Sequence, residues 1–473
     1  MRAISLVKHL EFEFSGNVLR NAITLHDVDN DGNSELIVGN ERGEVTIFKG
    51  YEKWQTISNL GFVCCLAVGD IFNENRNCLV IVTGDGWCYI YGNSAQDEVN
   101  EDETSIHNSV DDSVDVVDGQ ILSGESEVQT SDSSHSKPFE KKHGLQQLHV
   151  QRIPANTKYI LLDDIDDDGS VEMVLGLTDR VVRSYRWYNP RKFLASTIGK
   201  RSSVADELCS KLVGLNKWEC AKQIGSVTLH HDAENKPTLL IAQPGGTFMR
   251  IRYTNDDKLE QSDSSTSISE YLTGSSIDYQ FLGLSRMRNQ NISTEIIGDL
   301  KVLPQDDNKR GAPYAVATLD GTIMLVQEEI ILWAIAVDHQ IFALTKLDVT
   351  GNGIDDLVAC SWDGHTYILD QEKNVVRFQQ GESVQAFASG YYTLVPGEKP
   401  VTCFVYVTFH NKILVYHDIC LKDMSSRNFS VSPDCISDVL QGTDANEKAS
   451  LAHSLDEHDK RSIVEYLLYG VGS

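Results

Sequence analysis

A chain of 473 residues that is 41% hydrophobic, with 15 Phe, 17 Tyr and 6 Trp, can bury a sizeable core, which excludes a disordered chain. Its 69 acidic against 41 basic residues give a formal net charge of -28, repelling phosphate backbones and anionic headgroups. Nucleic-acid binding and direct membrane binding are excluded on that ground, although twelve of the acids lie between residues 93 and 136 and leave the folded body only moderately acidic.

The opening residues break their apolar run with Lys8, His9 and Glu11, so the sequence predicts no signal peptide, and no stretch is apolar enough for a transmembrane helix. Next comes Asp27-Val-Asp29-Asn-Asp31-Gly32-Asn-Ser-Glu35, which runs into the apolar Leu36-Ile-Val-Gly39 and then a turn at Gly43. The unit recurs. Asp27 and Gly43 are sixteen residues apart, as are Asp70 and Gly86, and Asp348 and Gly364; Gly43 to Gly86 and Gly321 to Gly364 both span 43.

A period of this size, made of short apolar strands and Gly-centred turns, is that of propeller blades rather than helical solenoids. A copy at 159–186 and two worn copies at 226–249 and 386–416 bring the number to seven. The fold expected is therefore all-β, a seven-bladed β-propeller over residues 1–420. The run Ile4 to Phe12 is expected to complete the last blade, since closing the ring removes two exposed sheet edges.

Three insertions interrupt the beat. Residues 93–147, rich in Asp, Glu and Ser, read as a solvated, disordered loop; 189–221 read as helical, because Asp206 to Val213 spaces its apolar residues three and four apart; 255–290 read as loose and Ser-rich. Residues 421–473 form a tail. In it Ser454-Leu-Asp-Glu457 is a capping box for a helix over 456–469, whose Ile463, Tyr466, Leu467 and Leu468 either fold onto the propeller rim or bind a partner. Ten cysteines without a CxxC pair, mostly in apolar runs, read as buried cytosolic thiols.

The acidic loops place oxygen ligands at alternate positions of a Gly-bearing turn, as a structural Ca²⁺ site does. Three loops qualify: Asp27, Asp29, Asp31 and Glu35; Asp164, Asp166, Asp168 and Glu172; and Asp348, Thr350, Asn352 and Asp356, where two neutral oxygens weaken the set. The alternative is a row of Asp side chains capping their own turns without metal. An EF-hand is excluded, because its bidentate Glu at position 12 is replaced by Val38, Leu175 and Ala359.

The pattern of alternating acids, Gly, a closing acid and a β run resembles the FG-GAP repeat of integrin α-subunit propellers, although Gly39 is followed by Asn40-Glu41 rather than Ala-Pro. With the Phe12-Glu-Phe14-Ser-Gly segment ahead of Asp27, the chain is similar, from about residue 4 to the C-terminal helix, to the intracellular FG-GAP repeat proteins of the KICSTOR complex. That resemblance implies a non-catalytic scaffold subunit, cytoplasmic and recruited to the lysosomal surface. Its implied partners are kaptin, the large KICSTOR scaffold subunit and the GATOR GAP complex, with amino-acid-dependent TOR kinase signalling restrained as the outcome.

Two alternatives stand beside it. One is an integrin-like calcium-binding adhesion ectodomain. The other is a propeller enzyme, for which His230-His231-Asp232 is the one dense triad-like string, while no G-x-S-x-G elbow, H-E-x-x-H, Walker loop or dinucleotide fingerprint occurs.

Overall fold

The computed structural model describes residues 2–93, 144–190, 209–254, 274–282, 291–302, 311–422 and 424, all within one unit, Met1–Met424. Its strands build seven sheets, and in six of them the four core strands follow one another in chain order as an antiparallel meander. The architecture is a seven-bladed β-propeller. Blades one to six occupy residues 23–57, 63–152, 157–219, 227–281, 294–336 and 341–379, and blade seven joins 384–417 to His9–Glu13.

The apolar runs become the second strand of each blade. Glu35–Gly39, Cys78–Thr83, Glu172–Leu177, Pro237–Gln243, Tyr314–Thr318 and Asp356–Ser361 are buried at every position, because both faces of a blade pack against neighbours. Met173 and Leu175 face blade two, against Val80 and Val82, while Val174 between them faces Leu239 and Ile241 of blade four. The core is thus a ring of inter-blade layers, each buried Val, Leu or Ile contributing roughly 1.5–3 kcal/mol.

The 43-residue beat has a steric cause. Gly43, Gly86, Gly321 and Gly364 turn the second strand into the third with φ of +81°, +88°, +89° and +84°. A Cβ on them would lie 2.0, 2.5, 2.3 and 2.5 Å from the carbonyl oxygens of Leu60, Ile153, Val337 and Gln380. Only Gly fits there.

Within His9–Glu13, Leu10 lies opposite Val415 and Phe12 opposite Ile413, so the N-terminal strand is the outer strand of blade seven. A second N-terminal strand, Arg2–Ile4, runs parallel to Val375–Gln379 and adds a fifth strand to blade six. One short segment therefore clasps two neighbouring blades.

The helical reading of 189–221 is corrected at its C-terminal end, where Lys211–Glu219 is the outer strand of blade three, paired with Val181–Tyr188. Leu212 and Trp218 are its buried positions, and pairing outweighs the helix-like spacing of the residues before it. The loose reading of 255–290 is likewise corrected at Gly274–Phe281, the outer strand of blade four. The disordered reading of 93–147 is corrected at its C-terminal end, where Gln146 and Gln147 begin the outer strand of blade two, Gln146–Arg152. Residues 94–143, 191–208 and the expected helix over 456–469 with Ile463, Tyr466, Leu467 and Leu468 lie outside the described residues.

Candidate functional site

Each acidic loop joins the first strand of its blade to the second, and its ninth-position acid begins that second strand. Glu35, Glu172 and Asp356 are almost fully buried there, and each accepts a hydrogen bond from a backbone N–H of its own loop: Val28 at 3.0 Å, Ile165 at 3.1 Å and Val349 at 3.0 Å. The first acid also works as a cap. Asp27 accepts from Gly32 N–H at 2.9 Å, Asp164 from Gly169 N–H at 2.7 Å and Asp348 from Gly353 N–H at 2.8 Å.

The acids between these two converge on a side chain that the sequence reading missed. In blade one Lys49 Nζ bonds Asp29, lies 3.0 Å from Asp31 Oδ2 and 3.4 Å from Glu35 Oε1. In blade three the Arg186 guanidinium is 3.2 Å from Asp166, 2.6 Å from Asp168 and 2.5 Å from Glu172. Both cations come from the third strand, and Glu172 pairs with Arg186 in the strand register. The signal was in the sequence: Lys49 lies 20 and 18 residues after Asp29 and Asp31, and Arg186 lies 20 and 18 after Asp166 and Asp168.

Burial is the largest influence on the two closing acids and pushes Glu35 to about 7 and Glu172 to about 8, against the opposing pull of Lys49 and Arg186. Calcium bound by these oxygens would sit about 2.3–2.6 Å from each. An ammonium or guanidinium already in contact with Asp29, Asp31 and Glu35, or with Asp166, Asp168 and Glu172, competes for that position, although oxygens of Asp27, Asp29 and Glu35, and of Asp164, Asp166 and Glu172, lie within 4.8 Å of one another.

In blade six the residue 20 beyond Thr350 is Asp370, which caps its own turn through Asn374. Asp348 there accepts from Gly351, Asn352 and Gly353, Asn352 Oδ1 accepts from Ile354 N–H at 2.8 Å, and Thr350 N–H donates to Asp356. Burial raises Asp356 to about 6.

At the channel axis the sequence reading missed Arg20. It reaches Glu295 of blade five at 2.7 Å, the carbonyl of Phe342 in blade six at 3.2 Å and that of Gly225 ahead of blade four at 3.1 Å, and it bonds Tyr159 of blade three. Tyr159 in turn donates to Glu295 at 2.8 Å. A depression of about 880 Å³ opens beside it, with Phe62, Trp362 and Phe409 partly exposed on its wall. No repeat signal marks a residue that occurs once.

The triad-like string divides between two roles. His231 Nδ1 lies 2.6 Å and His230 Nδ1 3.2 Å from Asp299, whereas Asp232 caps the following turn through the N–H groups of Glu234 and Lys236. The two imidazoles share one carboxylate, and neither is paired with Asp232 as a triad requires.

The model of the integrin-alpha FG-GAP repeat-containing protein 2 family matches residues 49–421. The chain belongs to that family. Within it the chain is 35% identical over 441 residues to the KICSTOR complex protein ITFG2 of Mus musculus, covering 90% of this chain and 88% of that protein. It is 34% identical over 449 residues to the Bos taurus protein of the same name, covering 90% and 73%. Among solved structures it is similar to BBS1N in complex with ARL6DN, with a TM-score of 0.51 at 12% identity over 88% of this chain and 97% of that one, a likeness of fold. The family match runs from Lys49, the last residue of the third strand of blade one, to just past the last strand of blade seven.

Proposed function

We propose that this chain is a non-catalytic scaffold subunit of a KICSTOR-type complex. The observation that carries the reading is identity of 34–35% across 90% of the chain to proteins named as KICSTOR components. A propeller suits the role, because its rigid ring presents loops on two broad faces. In this reading the chain is cytoplasmic, assembles with kaptin and the large scaffold subunit at the lysosomal surface, helps recruit the GATOR GAP complex there, and so restrains amino-acid-dependent TOR kinase signalling.

Affinity purification of the tagged full chain followed by mass spectrometry tests this. Recovery of the KICSTOR and GATOR subunits in stoichiometric amounts is expected, and their absence from a well-expressed, folded bait would refute it. A chain lacking residues 454–473 asks separately whether the tail contributes; an unchanged partner set would remove the tail from the interface.

A further inference from the structure

We propose that Lys49 and Arg186 are built-in counter-ions that stand in the place of calcium, making the acidic loops of blades one and three independent of metal. The first argument is charge. Asp29, Asp31 and Glu35 crowd one turn and Asp166, Asp168 and Glu172 another, and like charges this close repel one another unless a cation among them or a bound proton offsets the charge. In both blades that cation is a side chain delivered from the third strand.

The second argument is the internal comparison between blades. Cation and acids keep the same spacings, 20 and 18 residues, in two blades whose intervening turns differ in sequence. In blade six, where Thr350 and Asn352 replace the acids that would need neutralising, the equivalent position holds Asp370. Across blades one, three and six the middle acids and the cation are present together or missing together. A cation that merely decorated the surface would not follow the loop's charge in this way.

The two cations do the work unequally. Arg186 spreads its donors, Nε to Glu172, Nη1 to Asp168 and Nη2 to both oxygens of Asp166 at 3.2 Å, whereas Lys49 leaves Asp27 Oδ1 and Asp29 Oδ1, both buried, without a hydrogen-bond donor. Blade one is thus a metal-type loop one substitution away from accepting an ion. Lys49→Gln would free three carboxylates beside two oxygens that already lack donors.

The test uses the full-length chain, with melting temperature and terbium luminescence as readouts. Terbium takes the same oxygen ligands as calcium, and Trp54, whose ring centre is 4.5 Å from Lys49 Nζ, would sensitise it. The native protein is expected to melt at one temperature in EDTA and in millimolar calcium. Lys49→Gln should melt lower in EDTA by on the order of 5 °C, recover in calcium, and gain a saturable terbium signal that Asp29→Asn removes; Lys49→Arg should behave as native. A native melting temperature that falls in EDTA and returns with calcium overturns the proposal. So does a Lys49→Gln protein as stable in EDTA as the native chain.

Discussion

Arg20 and Glu295 meet at 2.7 Å although 275 positions separate them, and their contact ties the segment before blade one to the inner strand of blade five across the channel. Their side chains are only 21% and 11% exposed. Removing one partner of such a pair strands the other charge in a low-dielectric site, at a cost of about 3 kcal/mol. Arg20→Met is therefore expected to lower the urea midpoint clearly, and Arg20→Met combined with Glu295→Leu to recover part of the loss. Equal loss in single and double variants would show that the pair is not the source.

Glycine substitutions separate steric need from conformational preference. Gly364 and Gly351 both have positive φ, +84° and +73°, but a Cβ on Gly364 meets Gln380 O at 2.5 Å, whereas one on Gly351 meets nothing within 4 Å. Gly351→Ala should cost about 1 kcal/mol, the left-handed backbone alone. Gly364→Ala should cost at least about twice as much, because the turn must shift as well. Chemical denaturation of the two variants side by side checks the ratio.

Acid stability should depend on Asp299. Burial disfavours its charge, yet hydrogen bonds from His230, His231 and the His231 backbone hold its pKa down to about 2. A carboxyl depressed from about 3.9 stabilises the fold above that value and loses the contribution as pH falls towards about 2. Asp299→Asn should lose about 2 kcal/mol near pH 5 and show a flatter stability profile between pH 4 and pH 2. Parallel acid limbs for the native and variant chains would contradict this.

What was legible in the sequence is what repeats. Gly43, Gly86, Gly321 and Gly364 each meet the same backbone obstacle, so one steric rule wrote the same residue at one spacing and disclosed the blade. Asp27 and Asp164 could be read as turn residues because an Asx cap is local. Lys49 and Arg186 belong to the same repeat but act across strands, so their meaning depends on register rather than on neighbours in sequence. Arg20 and Glu295 were beyond reach, since a contact made once through the channel leaves no pattern. Lys211–Glu219 misled because the acidic and apolar residues before it mimic a helical face, while the sheet edge of blade three decides the outcome.

The clasp made by Arg2–Ile4 and His9–Glu13 also sets a timetable. Leu10 leaves the ribosome early, but Val415, opposite it in the finished sheet, is made roughly 400 residues later, about 20–80 s at ordinary synthesis rates. Until then His9–Glu13 has no sheet to join, although Val375–Gln379, the partner of Arg2–Ile4, has already been made. Ring closure through blade seven therefore has to wait until the chain around Val415 has been made.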